Sequence, residues 1–353
     1  MIVALRAALA GALLTVVLVA CSVVPSPVRA AQGSPDTPAA ATTAAPASTR
    51  PGPRAPDGPL PTVRVAPYVD LTTPPLPDLG AVAAASGQRD VVLGFVLAGQ
   101  GCTPTWGGTT PMTDPAVAAS VAGLKARGGT VTVSSGGAVG DYLETRCPDA
   151  ASLAQAYGAA LDAAGTDHLD VDIETDKGRD VSMARVADAL QLLQDRRGAR
   201  ITLTVQVESA DAGMTDDARE LVEAVSERGV ATRINLMVMN FEQRGSWAES
   251  MLDAADLSLA ALQRMWPGSE PADVAQRVGL TLMIGRNDTE ATTTLADAGA
   301  VVDGARARGY GYIGAWSLLR DNGGCPGTAT EADDCSGIAQ EPWAFTRALQ
   351  RFA

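Results

Sequence analysis

Three carboxylates alternate with apolar residues in one short segment, Asp170-Val171-Asp172-Ile173-Glu174. Successive side chains of a β-strand point to opposite faces, so Asp170, Asp172 and Glu174 share one face. Like charges this close raise the pKa of at least one carboxyl group, which a general acid working near neutral pH requires. We interpret the three carboxylates as a coupled acid–base group. Two alternatives remain open, namely a solvated edge strand and a metal site built from carboxylates.

The composition excludes several other kinds of chemistry. The chain has 353 residues and a formal net charge of -13, which opposes binding to nucleic acid. Its single histidine, His168, excludes a histidine-rich metal centre. Alternation places His168 on the same strand face as Asp170. His168 therefore either forms an ion pair with Asp170 or is packed and hydrogen-bonded in the interior of the fold.

Secondary-structure elements must position these side chains. Apolar, β-branched segments, typical of strands, alternate along the chain with Ala- and Leu-rich segments, typical of helices. This alternation predicts a parallel sheet, and eight strands predict an α/β fold, the (β/α)8 TIM barrel. The alternative is an open doubly wound sheet, but the first predicted strand is followed by no Gly-rich turn. The predicted strands span residues 62–70, 90–98, 129–135, 168–174, 200–207, 233–240, 277–284 and 311–317.

The N-terminal part of the chain resembles an export signal followed by a linker. Residues 1–21 carry one early charge and then an apolar stretch that is short for a membrane span. The stretch ends in Leu18-Val19-Ala20-Cys21, which resembles a bacterial lipobox and predicts lipidation of Cys21. Ordinary signal cleavage after Ala30 is the alternative. Residues 22–61, rich in Pro, Ala and Thr, predict a disordered linker, and residues 62–353 a catalytic barrel domain.

These features predict an extracellular protein, either secreted or tethered to the outer face of the membrane by a lipid anchor. With Cys21 lipidated, four cysteines remain, and an even number in an exported protein usually forms disulfides. We predict the pairs Cys102–Cys147 and Cys325–Cys335, although the sequence leaves three connectivities open. An acidic barrel on a linker is most simply a monomer.

The segment Asp167-x-x-Asp170-x-Asp172-x-Glu174 resembles the DxxDxDxE signature of glycoside hydrolase family 18, the chitinases and their relatives. Ser134-Ser135-Gly136-Gly137, at the end of the third predicted strand, is similar to the SxGG motif of the family. Trp316 ends the eighth predicted strand, where the family has a tryptophan beneath the bound sugar. The resemblance extends over residues 62–353.

This resemblance implies an exported chitinase-like glycosidase that cleaves β-1,4-linked N-acetylglucosamine polymers with retention of configuration. Glu174 would act as the general acid, and the N-acetyl carbonyl of the substrate as the nucleophile. Asp172 would orient the acetamido group and share a proton with Asp170. Neither a metal ion nor an organic cofactor is required. A lectin-like protein that binds chitin or glycans, and an endo-β-N-acetylglucosaminidase, are the alternative functions.

The sixth predicted strand departs from the family pattern. The family has an Asp or Asn there, with a Tyr whose hydroxyl holds the N-acetyl carbonyl; Asn240 fits, but Met239 or Phe241 replaces the Tyr. Loss of one such hydrogen bond typically costs about 2.7–4 kcal/mol of activation energy, which predicts a slow enzyme. Gln206 is a candidate replacement donor. The predicted substrate-binding residues are Trp316, Asn240, Met239, Phe241, Gln206, Tyr68 and Trp106.

Overall fold

Eight parallel strands form the centre of the molecule. The structure is a computed structural model that describes residues 52–72, 75–175, 180–328 and 332–353. The predicted signal segment, Cys21 and most of the predicted linker lie outside the described residues. The strands are β1 (Tyr68–Asp70), β2 (Asp90–Ala98), β3 (Thr130–Gly136), β4 (His168–Asp172), β5 (Arg200–Ser209), β6 (Thr232–Met237), β7 (Val278–Met283) and β8 (Tyr312–Trp316).

The strands pair in chain order and close on themselves. Each strand from β1 to β8 is hydrogen-bonded in parallel to the next. The segment before β1 completes the circle, because Ala66 N donates to Ile313 O at 3.2 Å and Ile313 N donates to Arg64 O at 2.9 Å. The predicted (β/α)8 barrel is confirmed, and the carboxyl ends of the strands meet at one mouth.

Helices follow most of the strands and begin at residues whose side chains cap them. Asp114, Asp149, Ser182 and Thr215 each accept a hydrogen bond from a backbone N–H in the first turn of the following helix. Within the described residues no helix is both long and apolar enough to span a bilayer. The helices are Leu79–Ser86, Pro115–Lys125, Leu143–Arg146, Ala150–Ala164, Met183–Arg197, Asp216–Glu227, Trp247–Met265, Pro271–Gln276, Leu295–Ala307 and Ala344–Gln350.

Short elements lie in the loops around the barrel. The 3-10 helix Leu318–Arg320 directly follows β8. The short strands are Pro104–Trp106, Thr110–Pro111, Gly213–Met214, Gly285–Arg286 and Thr292–Thr293.

Residues 52–61, the last part of the predicted linker, pack against the barrel. Arg277 donates to Pro56 O at 2.9 Å, and Arg233 donates to Pro61 O at 2.7 Å. Ala55 is buried, and its N–H donates to the side chain of Ser269 at 2.9 Å. The segment lacks the periodicity of a helix or strand, but arginines of the barrel satisfy its carbonyl groups.

Candidate active site

Asp170 lies on β4 inside the barrel and accepts hydrogen bonds from three hydroxyl groups. Tyr68 donates to Oδ2 at 2.9 Å, Ser134 donates to Oδ2 at 2.7 Å, and Thr204 donates to Oδ1 at 2.6 Å. Burial raises the pKa of Asp170 to about 6, although the three hydrogen bonds act in the opposite direction. A pKa of about 6 places the titration of Asp170 nearer to neutral pH than that of an ordinary aspartate.

The hydroxyl groups around Asp170 are held in turn by an amide from β6. Asn235 is fully buried, and its Nδ2 donates to Thr204 Oγ1 at 3.0 Å. Thr281 on β7 donates to Asn235 Oδ1 at 3.0 Å. The network connects β1, β3, β4, β5, β6 and β7, so the orientation of Asp170 is fixed by most of the barrel.

Asp172 and Glu174 face the cavity above Asp170. The side chain of Asp172 is buried, whereas Glu174, two residues beyond it, is half-buried. Burial raises the pKa of Asp172 well above its usual range, and the charges of Glu174, Asp170 and Glu144 raise it further. Burial and these neighbouring charges therefore favour the protonated form of Asp172. Its Oδ1 is buried without a hydrogen-bond partner among the described residues.

The two glycines that end β3 and begin the following loop bring that strand close to the carboxylates. Gly136 has a φ of 113°, and a Cβ added there would lie 1.8 Å from the carbonyl oxygen of Asp172. Gly137 has a φ of 88°, and a Cβ added there would lie 2.6 Å from the ring of Phe95. Gly137 N also donates to Asp172 O at 2.9 Å. Glycine is therefore required sterically at both positions of the motif, because these close contacts exclude a side chain.

A cavity of about 490 Å3 opens at the carboxyl ends of the strands. Trp316 and Phe95 stack at its floor, with ring centroids 5.6 Å apart and an interplanar angle of 23°. Apolar ring faces of this kind can pack against the face of a sugar. The cavity brings together the predicted residues Tyr68, Asp172, Glu174, Gln206, Met239, Asn240 and Trp316.

Two of the predicted sugar contacts, Trp106 and Phe241, are not among the residues that line this cavity. Trp106 is buried in a short strand that folds back antiparallel onto β2. Phe241 is buried against Trp247, with ring centroids 4.8 Å apart. The backbone turns at Asn240, where φ is 61°, and Phe241 therefore packs outside the cavity. Met239, not Phe241, lies at the cavity wall.

Asn240 joins the end of the β6 region to the loop after β7. Its Nδ2 donates to Asp288 Oδ2 at 2.6 Å, and Asp288 N donates back to its Oδ1 at 2.9 Å. The amide is therefore held at the edge of the cavity by Asp288. Tyr68 contributes its ring to the cavity, whereas its hydroxyl group is bonded to Asp170.

His168 is a packed, hydrogen-bonded histidine and does not form an ion pair with Asp170. Its Nδ1 lies 2.8 Å from Thr132 Oγ1, and its Nε2 lies 2.9 Å from Thr202 Oγ1. Burial lowers its pKa to about 3, and the charges of Arg233 and Arg200 act in the same direction. His168 is therefore neutral at the pH of most assays, and its ring nitrogens bond threonines in place of Asp170.

Further residues line the cavity that the sequence does not single out, among them Phe95, Asp70, Met237 and Asp288. Asp70 carried a signal, because it is an acidic residue at the end of the first predicted strand. Phe95 and Met237 look like ordinary core residues in the sequence. Asp288 lies in a loop whose path depends on its contact with Asn240.

Both predicted disulfides are present near this mouth. Cys102 is bonded to Cys147 with a Cα–Cα distance of 4.6 Å, and Cys325 to Cys335 with a distance of 6.0 Å. The second bond closes the loop that carries Asp333, another cavity residue. In the part of the chain that the structure describes, no group of three or more His, Cys, Asp or Glu side chains is arranged to hold a metal ion.

Two characterised proteins are similar to this chain in sequence, although no protein-family model matches it. A probable bifunctional chitinase/lysozyme of Escherichia coli K12 is 28% identical over 294 residues, covering 78% of this chain and 32% of that protein. Endochitinase 11 of Metarhizium anisopliae is 28% identical over 272 residues, covering 72% of this chain and 52% of that protein. The chain thus spans about a third and about half of the length of these two relatives.

Solved structures extend the comparison to the whole barrel. The catalytic domain of a hyperthermophilic chitinase from Pyrococcus furiosus is 29% identical, with a TM-score of 0.77, covering 85% of this chain and 97% of that one. A family 18 chitinase of Flavobacterium johnsoniae, 12% identical with a TM-score of 0.52, covers 85% of this chain and 94% of that one and shares the fold. In sequence and fold the chain is therefore similar to chitinases, and it carries the acidic β4 segment and the Ser-Gly-Gly turn that resemble glycoside hydrolase family 18.

Proposed function

We propose that the chain hydrolyses β-1,4-linked N-acetylglucosamine polymers such as chitin, with retention of configuration. The observation that carries this proposal is the arrangement of the cavity. Asp172 and Glu174 line it together with a floor of two stacked aromatic rings, Trp316 and Phe95. The chitinase of Pyrococcus furiosus, which covers the same barrel, supports the choice of polymer.

In the first step Glu174 gives its proton to the glycosidic oxygen while the bond from that oxygen to C1 breaks. The carbonyl oxygen of the acetamido group on the same sugar forms a bond to C1, and the sugar on the other side leaves as an alcohol. In the second step water attacks C1, and the Glu174 carboxylate takes a proton from it. The carbonyl oxygen is released, and the product has the β configuration of the substrate.

Asp172 and Asp170 stabilise the positive charge that develops on the acetamido group. The buried Oδ1 of Asp172 accepts the hydrogen bond of the acetamido N–H. The proton of Asp172 passes to Asp170, whose pKa of about 6 lies within reach of neutral pH. An ionised Asp172 then faces the positive charge of the cyclic intermediate, which lowers its energy.

Met239 lines the wall of the cavity, and we propose that it stands where the family has its tyrosine hydroxyl. Gln206, which also lines the cavity, is the amide that we propose as the replacement donor to the acetamido carbonyl. An amide on a long side chain is less preorganised than a phenol packed in the barrel wall. The enzyme is therefore expected to be slow.

The experiment compares two soluble hexamers, one of N-acetylglucosamine and one of glucosamine, which lacks the acetyl group. Wild type should cleave the first to shorter oligomers and leave the second intact, since only the first carries the internal nucleophile. Glu174→Gln should abolish cleavage but still bind the first hexamer. Equal cleavage of both hexamers contradicts the proposed mechanism, and saturable binding without cleavage by wild type identifies a lectin-like protein.

We further propose that the protein is exported and acts as a monomer, tethered to the outer face of the membrane through a lipid on Cys21. The two disulfides support an oxidising location. Cells grown with a labelled fatty acid should incorporate the label into wild type and not into Cys21→Ala. A freely secreted product that begins after Ala30 contradicts the anchor.

A further inference from the structure

Glu174 lies beyond the part of β4 that the sheet holds. β4 pairs with β3 and β5 as far as Asp172, which lies opposite Gly136 and Thr204. Two residues further along, the backbone N–H of Glu174 donates to the hydroxyl oxygen of Tyr142 at 3.2 Å. The side chain of Tyr142 therefore supports the backbone at Glu174, beyond the last strand-pairing hydrogen bonds of β4.

The same hydroxyl group also connects Glu174 to Asp172. Tyr142 donates its proton to the carbonyl oxygen of Gly137. The N–H of Gly137 donates in turn to the carbonyl oxygen of Asp172 at 2.9 Å. The backbones of the two carboxylates that face the cavity are thus linked through one tyrosine hydroxyl and one peptide group.

Tyr142 itself has little freedom to move. It is 1% exposed and immediately precedes the short helix Leu143–Arg146. Glu144 in that helix is fully buried and accepts hydrogen bonds from Ser135 at 2.8 Å and from Tyr157 at 2.6 Å. The next residue after the helix is Cys147, whose disulfide fixes it to the loop after β2. The helix is therefore a rigid support for the tyrosine.

We propose that Tyr142 is the positioning residue of the acid Glu174, setting its distance from Asp172 and from the glycosidic oxygen. This inference rests on the proposed function, since it assigns Glu174 the role of the acid. Tyr142 does not line the cavity and therefore acts through Glu174 and not on the sugar. Proton transfer is sensitive to small displacements, and a misplacement of about 1 Å can cost roughly 100-fold in rate.

The test is Tyr142→Phe, with Tyr310→Phe as the matched control. Tyr310 is equally buried, and its hydroxyl group donates to Asp256 at 2.9 Å, away from the cavity residues. With the N-acetylglucosamine hexamer, Tyr142→Phe should lower kcat roughly 10- to 100-fold and leave KM within about twofold. The alkaline limb of kcat/KM, which reports the acid, should also shift. Tyr310→Phe should lower Tm without changing kcat or the pH profile.

The outcomes separate this inference from the proposed function. Absence of turnover by wild type overturns the proposed function and this inference with it. An active wild type, an inactive Glu174→Gln and a Tyr142→Phe variant with wild-type kcat and pH profile overturn the inference alone. So does a loss of kcat that follows Tm equally in both tyrosine variants, because that result indicates a purely structural role.

Amide hydrogen exchange of the wild type provides a second measurement that does not depend on the variant folding. The N–H of Glu174 should be protected although it lies outside the ladder, because it is bonded to a buried hydroxyl. Exchange at the rate of an exposed amide contradicts the proposed support by Tyr142.

Discussion

Replacing His168 with glutamine should change how the free energy of unfolding depends on pH. Glutamine can retain hydrogen bonds to Thr132 and Thr202 but does not titrate. In the folded protein the pKa of His168 is lowered to about 3, whereas in the unfolded chain it has its ordinary value of about 6.5. Between these two values the unfolded chain binds one proton more than the folded protein. Wild type therefore loses stability as the pH falls below about 6.5.

The size of the effect follows from this one proton. Each pH unit between about 6 and 4 costs wild type about 1.4 kcal/mol, so the loss from this group between pH 7.5 and 4.5 is about 2.7 kcal/mol. The figure hardly depends on the folded pKa as long as that value lies below about 4. Asp170, whose pKa is raised to about 6, has the opposite trend, but it is present in both proteins and cancels in their difference.

The assay is urea unfolding of wild type and His168→Gln at several pH values between 4.5 and 7.5. The difference between the two free energies of unfolding should change by about 2.7 kcal/mol over this range, with wild type losing more at low pH. Two parallel curves, with a difference that is constant across the range, refute the reasoning that His168 is held neutral by burial.

Three further substitutions test the geometry of the cavity. Gly137→Ala should lower Tm, because an alanine with a φ of 88° costs about 1–2 kcal/mol, and should raise KM, because the new Cβ displaces Phe95. Unchanged Tm and KM contradict this expectation. Ser134→Ala removes one of the hydrogen bonds that lower the pKa of Asp170, so the acidic limb of kcat should move to higher pH; an unmoved limb contradicts the role of Asp170. Trp316→Ala should weaken binding of the N-acetylglucosamine hexamer roughly 10-fold, measured by calorimetry, while wild-type affinity rules out the aromatic floor.

The strands and the carboxylates were predictable because both produce short-range patterns. The period of two along β4 places Asp170 and Asp172 on one face, whatever the rest of the chain does. The eight apolar segments likewise predict the barrel that the structure contains. Tyr142 carried no such signal, since its role depends on a contact with Glu174 across 32 residues of sequence.

The structure differs from the sequence-based expectations where contacts distant in sequence decide the conformation. Trp106 is predicted to bind the substrate, but its segment pairs with β2 and its side chain is buried. The sixth predicted strand was extended to residue 240, whereas β6 ends at Met237 and the chain turns at Asn240. Residues 52–61 resembled a linker because their order comes from arginines of the barrel and not from their own pattern.

The most direct test of the central claim is the anomeric configuration of the first product, followed by proton NMR. Wild type should convert the N-acetylglucosamine hexamer into shorter oligomers whose new reducing ends begin as the β anomer, and Glu174→Gln should give no product. A product that begins as the α anomer, or cleavage that persists in Glu174→Gln, contradicts the account of Glu174 and the acetamido nucleophile.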